Sequence, residues 1–171
     1  MYGLFKYHLK TEWQIEATLE QVYDLVVDSS NWARWWPDLH ESSLLCANDN
    51  DGIGSIWQYT WNTYYFCKIR FTVKIVDIEI YKRIVGRATG DLEGLGIWCF
   101  YADGPMTIVT YEWEVCTTRW WMKVLSPCIH QLFEKNHEII MRRGGEGLAK
   151  WLGVKAINIK TVNLPEELGG Q

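Results

Sequence analysis

A chain of 171 residues is long enough for one domain, and a domain of this size buries roughly 70% of the surface of its unfolded chain. The net charge of −4 argues against nucleic acid as a partner, because phosphate binding requires a basic surface. Aromatic residues are abundant, with 11 Trp and 9 Tyr, and each of these rings carries a polar atom that needs a partner when buried. This composition predicts either a large aromatic core or the aromatic lining of a cavity.

The cysteines and the first residues of the chain indicate its compartment. Five cysteines occur without any C-x-x-C spacing, namely Cys46, Cys67, Cys99, Cys116 and Cys128. This spacing fits neither a metal site nor a disulfide framework, so we expect free thiols, no metal and no cofactor. The first ten residues alternate polar and apolar types, unlike a signal peptide, and no run approaches the ~18 apolar residues of a membrane span. We therefore expect a cytoplasmic protein without a transmembrane segment.

The first predicted elements are a strand and two short helices. Apolar and polar residues alternate over residues 5–16, which predicts a strand with one buried and one solvated face. Thr18 and Gln21 have the spacing of a capping box and predict the start of a short helix. Ser30 begins a second short helix, which ends before Pro37 because the residue preceding a proline is disfavoured in helices.

The middle of the chain, residues 40–117, contains the patterns of strands and turns only. Alternation or short apolar runs predict strands at residues 55–61, 67–75, 83–90, 95–101 and 106–117. Turn-forming residues at 48–54 and 103–105 separate some of these segments. Strands that follow one another directly predict an antiparallel meander.

A long amphipathic helix is predicted for residues 126–152. Pro127 suits its first turn, and Gly153 suits the position just after its end. The apolar face contains Ile129, Phe133, Ile140, Gly144, Gly147, Leu148 and Trp151. We expect residues 1–153 to form a single domain, followed by a C-terminal extension at 154–171 whose last residues are flexible.

Four blocks of sequence are more specific than these patterns. They are, in order, WQIEATLEQVYDLVVDSSNWARWWPDL, GDLEGLGIW, YEWEVCTTRWWMKVLSP and FEKNHEIIMRRGGEGLAKWLG. With them the chain resembles the polyketide cyclase/dehydrase-type branch of the START-like (Bet v 1-like, SRPBCC) superfamily over about residues 5–153. The resemblance implies an α+β helix-grip fold, in which a curved antiparallel sheet wraps around the long C-terminal helix. That superfamily includes lipid carriers, sterol and hormone binders, quinone-binding proteins and cyclases, so the fold alone does not decide the function.

Small residues cluster on the predicted inner face of the sheet. These residues are Gly86, Ala88, Gly90, Gly94 and Gly96. Glycine weakens a strand, so its use here is explained either by sharp bending of the sheet or by free space beneath the helix. On the helix, Gly144 and Gly147 indicate either added free space or a close approach of helix and sheet.

The helix face that points toward the sheet also contains Asn136 and His137, and buried polar groups need partners. Three interpretations remain open for this pair: a hydrogen-bond network between helix and sheet, orientation of a ligand, or proton transfer. His137 and Tyr111 are the candidate catalytic groups, and no second catalytic group accompanies His137 in the sequence. The residues expected to line a ligand site are Trp57, Tyr59, Phe71, Trp98, Tyr111, Trp113, Phe133, Asn136, His137, Ile140, Met141 and Gly144.

The preferred hypothesis is the binding of a hydrophobic or aromatic small molecule, such as a lipid, isoprenoid, quinone or polyketide, by a monomer or homodimer. Trp32, Trp35 and Trp36 are expected to close one end of the barrel. The resemblance supports an alternative, an enzyme of the polyketide cyclase or aromatase type that uses the same cavity. A third hypothesis is an interaction module without a ligand, in which Trp120 and Trp121 form an exposed contact patch.

Overall fold

The computed structural model describes residues 6–48, 52–65, 68–118 and 126–164, with side chains from residue 130 onward in the last range. Cys67, Trp120, Trp121, the side chain of Ile129 and the end of the C-terminal extension lie outside the described residues. The elements are β1 (Lys6–Ile15), α1 (Leu19–Val27), a 3₁₀ turn (Ser29–Asn31), α2 (Trp32–Trp35), β2 (Leu39–Cys46), β3 (Ile56–Trp61), β4 (Ile69–Glu79), β5 (Arg83–Gly90), β6 (Leu92–Asp103), β7 (Met106–Thr117), α3 (Ser126–Leu152) and β8 (Ala156–Asn163).

The two short helices begin and end where local sequence chemistry places them. The Thr18 hydroxyl accepts a hydrogen bond from the Gln21 backbone N–H, and the Gln21 side chain accepts one from the Thr18 backbone N–H. This reciprocal pair is the predicted capping box. α2 ends at Trp35, and Trp36 is already extended before Pro37. The short helices therefore place a buried group of tryptophans beside the long helix.

The strands form one eight-stranded antiparallel sheet in the order β2-β3-β4-β5-β6-β7-β1-β8. Consecutive strands are neighbours from β2 to β7; the meander pattern predicts this for β3 to β7, whereas β2 was not among the predicted strands. β1 pairs with β7, with Trp13 opposite Val109. α3 packs against the inner face of this sheet, next to β1, β8 and α2. The predicted α+β helix-grip architecture is confirmed.

The segment that follows α3 adds a strand that the sequence analysis did not predict. α3 ends with Gly153 in the left-handed region at φ 70°, as expected for a C-terminal cap. β8 then pairs with β1, with Ile159 opposite Trp13. Part of the expected C-terminal extension therefore lies in the same sheet as the first strand.

Gly144 and Gly145 of α3 lie against tryptophan side chains. The Trp36 indole N–H donates to the backbone carbonyl oxygen of Ile140 over 2.9 Å, and the Trp13 indole N–H donates to that of Met141 over 3.1 Å. In an α-helix these two carbonyls also accept from the backbone N–H groups of Gly144 and Gly145. A Cβ on either glycine would collide with the indole that lies over it. For Gly144 and Gly147, the predicted free space is therefore absent. Both glycines allow a close approach, but of the end of α2 rather than of the sheet, because a Cβ at Gly147 would lie 2.0 Å from the Trp35 carbonyl oxygen.

One residue departs from the predicted apolar face of α3. Trp151 is 48% exposed, and its ring lies beneath the guanidinium group of Arg34, 5.3 Å from the ring centroid. The prediction that Trp151 faces the sheet is wrong. An exposed tryptophan at the last turn of the helix gains a cation–π contact that a buried position would not provide.

Candidate functional site

A cavity of about 350 Å³ lies between the inner face of the sheet and α3. Side chains from β3, β4, β5, β6 and β7 form its floor, and α3 contributes its roof through Phe133, Ile140 and Met141. The two short helices add Val26, Trp32 and Trp36. The wall is therefore mainly apolar and aromatic, which is the usual composition of a small-molecule pocket.

The structure brings together all of the predicted lining residues except one. The predicted residues that lie in the wall are Trp57, Tyr59, Phe71, Trp98, Tyr111, Trp113, Phe133, Asn136, His137, Ile140 and Met141. Gly144 lies outside the wall because the ring of Trp36 covers it. The prediction that Gly144 borders the cavity is therefore not matched by its position, and its role is to admit the indole.

Several wall residues were not among the predicted lining residues. Trp32 and Trp36 were expected only to close one end of the barrel, and both also face the cavity. Trp61 was not predicted either, although alternation along β3 places it on the same face as the predicted lining residues Trp57 and Tyr59. Ser29 lies in the 3₁₀ turn, where no periodicity indicates which residue faces inward.

Two glycines in the floor allow neighbouring side chains to pack closely. A Cβ at Gly96 would lie 2.6 Å from the Tyr111 hydroxyl oxygen and 2.9 Å from ring atoms of Trp113. A Cβ at Gly86 would lie 2.5 Å from a methyl carbon of Val73. These glycines make room for neighbouring side chains in the wall. Gly90, which was expected on the inner face, is exposed.

His137 has an unusual environment in the roof of the cavity. Both of its ring nitrogens are buried, and neither has a hydrogen-bond partner among the described residues. The ring lies parallel to that of Tyr111, with centroids 6.4 Å apart and an interplanar angle of 15°. Burial lowers the pKa of His137 from 6.5 to about 3, so the imidazole is neutral at physiological pH. A neutral ring has one N–H donor and one nitrogen acceptor, and here both nitrogens are buried beneath accessible surface.

Some of the other polar groups in the wall have hydrogen-bond partners within the protein, and others have none among the described residues. The Tyr59 hydroxyl donates to the Ser29 hydroxyl over 2.8 Å. The Trp32 indole N–H donates to the Val26 carbonyl oxygen over 3.0 Å. The Trp61 indole nitrogen is buried and has no partner among the described residues. Burial raises the pKa of Tyr111 well above its ordinary value, so its hydroxyl keeps its proton.

Asn136 belongs to a hydrogen-bond network, unlike its neighbour His137. Its side-chain oxygen accepts from the Tyr64 backbone N–H over 2.8 Å. The Tyr64 hydroxyl donates to Asp38 over 3.0 Å, and the same Asp38 oxygen lies 3.1 Å from the Arg143 guanidinium group. This chain of contacts connects α3 to the segments that follow α2 and β3. Of the three open interpretations, a hydrogen-bond network describes the contacts of Asn136, although it joins α3 to two connecting segments rather than to the sheet.

Four of the described wall residues are exposed to solvent, namely Val27, Leu44, Ala47 and Asn48. Two others are deeply buried: Asn136 is 4% exposed and Trp61 is 9% exposed.

The described residues contain no group of histidine, cysteine or acidic side chains that could hold a metal ion. None of the helices within these residues is both long enough and apolar enough to cross a membrane. What the wall can do chemically is bury apolar surface and offer a few neutral hydrogen-bonding groups.

Comparisons with known proteins agree with this geometry. The family model described as polyketide cyclase/dehydrase and lipid transport matches residues 6–150. Comparison with curated protein sequences gives no match.

Three solved structures have similar folds. A START superfamily protein from Mycobacterium smegmatis has a TM-score of 0.69 and 17% identity, over 85% of this chain and 99% of that one. The Zhui aromatase/cyclase from Streptomyces sp. R1128 has a TM-score of 0.68 and 13% identity, over 87% and 94%. The protein TTHA0849 from Thermus thermophilus has a TM-score of 0.66 and 19% identity, over 84% and 98%. At these identities the likeness concerns the fold alone. Because the family model covers most of the sequence, the chain belongs to the polyketide cyclase/dehydrase and lipid transport family.

Proposed function

We propose that this protein binds a hydrophobic or aromatic small molecule in the cavity between the sheet and α3. The observation that carries the proposal is a cavity of about 350 Å³ whose wall is mainly apolar and aromatic. Apolar contact supplies affinity at about 25 cal/mol for each Å² of ligand and wall that leaves water.

The test uses N-phenyl-1-naphthylamine, a neutral dye whose fluorescence rises when it leaves water. We expect saturable binding with one site per chain. Val73→Trp places an indole in the wall and should weaken binding at least about tenfold by filling the cavity. The matched control is Val76→Trp on the same strand, because Val76 is exposed and does not line the cavity.

The dye-binding experiment also has an outcome that contradicts the proposal. If the dye does not bind, or if both β4 variants bind it as the parent protein does, the cavity is not a binding site. Organic extraction of the purified protein followed by mass spectrometry gives a second readout. A molecule released in a ratio near one per chain, and lost from Val73→Trp, supports the proposal.

A second candidate is cyclization or dehydration of a polyketide in the same cavity. The similarity to the Zhui aromatase/cyclase favours it. The low pKa of His137 makes this ring a poor proton acceptor, whereas the protonated Tyr111 hydroxyl can donate a hydrogen bond to a substrate carbonyl. Catalysis would then depend mainly on holding one substrate conformation away from water.

The test of this second candidate is turnover of a linear poly-ketone thioester. We expect Tyr111→Phe to slow turnover while leaving the affinity for N-phenyl-1-naphthylamine unchanged. Equal product distributions with and without the protein would exclude the enzymatic role and leave the binding role intact.

A further inference from the structure

Two cations lie opposite each other on the outer face of the sheet, the face that is turned away from α3. Lys74 on β4 pairs in register with Arg87 on β5, and both residues are exposed. Like charges directly opposite one another destabilize a pair of strands. No ion pair within the described residues involves either cation.

Elsewhere on the same sheet, charges that face each other across two strands have opposite signs. Lys10 lies opposite Glu112, with 2.7 Å between the ammonium nitrogen and a carboxylate oxygen. Glu12 lies opposite Lys160, with 3.7 Å between the corresponding atoms. The net charge of the chain is −4, so a general excess of basic residues does not explain the exception. The two cations on β4 and β5 therefore depart from the pattern of their own sheet.

Two carboxylates on the outer face also lack ion-pair partners. Glu114 on β7 and Glu93 on β6 are exposed, and neither belongs to an ion pair in the part of the chain that the structure describes. Lys74 and Glu114 lie in one row across the sheet, but β5 and β6 separate them. Three spacings of about 4.8 Å between strands amount to about 14 Å, which is too far for an ion pair within one chain.

Apolar side chains lie between the cations and the carboxylates. Leu95 on β6 is in the same row, between Arg87 and Glu114, and Val85 lies opposite Ile97 in an adjacent row. All three aliphatic residues are half-buried. An apolar centre with charged groups around it is the usual composition of a protein–protein interface.

We infer that this outer face is an interface between two copies of the chain, related by a twofold axis that runs parallel to the strands between β5 and β6. β4 and β7 lie at equal distances on either side of this axis, so Lys74 of each copy faces Glu114 of the other. The same operation places Val85 of one copy on Ile97 of the other. A twofold axis across the strands in this row would instead bring the cations of the two copies together.

A second copy fits this face better than a partner of a single charge sign. An anionic membrane or a uniformly acidic protein would meet Glu93 and Glu114 as well as the two cations, and these carboxylates would repel it. A second copy presents both signs in the complementary order. The inference is independent of the proposed ligand, because the interface lies on the face of the sheet opposite the cavity.

The shape of the sheet limits the strength of the dimer. The outer face of a sheet that curves around α3 is convex, so two copies meet only over the central strands. Such an interface is smaller than the usual size of about 800 Å² for each partner, and salt screens its exposed charges. We therefore expect weak, reversible dimerization that becomes weaker as the ionic strength rises.

Sedimentation velocity over a range of protein concentrations, at low and at high salt, measures the dissociation constant of the dimer. We expect the parent protein to dimerize at low salt. Lys74→Glu and Glu114→Lys should each weaken the dimer at least about tenfold, because each brings two like-charged pairs into contact. An equimolar mixture of the two variants should dimerize as the parent protein does, because each reversed residue then meets an opposite charge on the other chain.

Two further variants are the controls for the change in net charge. Glu41→Lys on β2 and Lys150→Glu on α3 change the net charge by the same amounts at exposed positions outside the row. Both should dimerize as the parent protein does. Thermal melting verifies that all four variants are folded.

Three outcomes would overturn the inference. The parent protein could remain monomeric at every concentration up to about 1 mM at low salt. The two charge reversals could leave its dimerization unchanged. The mixture of two monomeric variants could also stay monomeric, which would show that Lys74 and Glu114 do not meet across a twofold axis. None of these results affects the proposed binding function, which the dye titration tests separately.

Discussion

The indole of Trp36 occupies the space that a side chain at Gly144 would need. The same indole donates its N–H to the carbonyl oxygen of Ile140, one helical turn before Gly144. Trp36 is 2% exposed and its ring is in edge contact with those of Trp13 and Trp61. The glycine therefore allows a tryptophan beside the cavity to rest directly on the helix backbone.

This relationship predicts the effect of Gly144→Ala. In an exposed helix, alanine is favoured over glycine by about 1 kcal/mol. Here we expect the opposite, a decrease in the free energy of unfolding of about 1–3 kcal/mol, because the new methyl group displaces the Trp36 ring. Urea denaturation measures the change. Glu146→Ala, at an exposed position of the same helix, serves as the control and should stay within about 0.5 kcal/mol of the parent protein. A stabilized Gly144→Ala would contradict the packing described here.

The neighbouring residues Asn136 and His137 should respond in opposite ways to the same substitution. Asn136→Leu leaves the Tyr64 backbone N–H without its acceptor and should destabilize the ligand-free protein by about 1 kcal/mol. His137→Leu removes two buried polar atoms that have no partners among the described residues, and it should stabilize the ligand-free protein by about 1–3 kcal/mol. Urea denaturation after organic extraction measures both. A destabilized His137→Leu would mean that the imidazole contributes to the fold through contacts absent from this structure.

The buried imidazole also predicts a dependence of stability on pH. The pKa of His137 is about 3 in the folded protein and near the ordinary 6.5 when the chain unfolds. Between these values the unfolded chain binds a proton that the folded protein does not, so stability falls as the pH is lowered. The slope contributed by this group approaches about 1.4 kcal/mol per pH unit.

The measurement compares the parent protein with His137→Leu at pH 6.5 and pH 5.0. We expect the parent protein to lose about 2 kcal/mol more stability than the variant over this interval. Parallel losses in the two proteins would show that this imidazole is protonated as easily in the folded state as in the unfolded one.

A substitution at Gly96 tests how closely the side chains in the floor of the cavity are packed. Gly96→Ala places a methyl group within 3 Å of both the Tyr111 hydroxyl oxygen and the Trp113 ring. We expect these rings to shift into the cavity, lowering the affinity for N-phenyl-1-naphthylamine about tenfold. Fluorescence titration measures the affinity, with Glu93→Ala at an exposed position of the same strand as the control. Unchanged binding in Gly96→Ala would show that the floor can adjust without losing volume.

We propose that the folded unit extends through β8, beyond the boundary at residue 153 that the sequence suggested. Ile159 packs against the core and lies over Gly145, and β8 covers one edge of β1. A chain that ends at Gly153 should lose about 2 kcal/mol or more of stability, because Ile159 no longer buries its side chain and the β1 edge is uncovered. A chain that ends at Leu164 is the control. Equal melting temperatures for the two chains would place the domain boundary at residue 153.

The local elements could be predicted because their causes are local. Alternation along residues 6–15 reflects a sheet with one covered face, and the Thr18–Gln21 pair signals its helix without reference to the rest of the chain. Gly153 similarly marks the end of α3 through its own backbone conformation. β8 was not predicted because an edge strand with little burial shows only weak alternation of apolar and polar residues.

The features of the candidate site also separate into those with local causes and those that depend on tertiary contacts. The sequence alone determined the order of the elements apart from β2 and β8, since periodicity depends only on backbone geometry. It also indicated which faces of the strands and of α3 point inward, with Gly90 and Trp151 as exceptions. It could not distinguish Asn136 from His137, which are adjacent and similarly placed on α3. Only the tertiary structure decided that Asn136 has a hydrogen-bond partner and that, among the described residues, His137 and Trp61 do not, because each such partner comes from a distant segment of the chain.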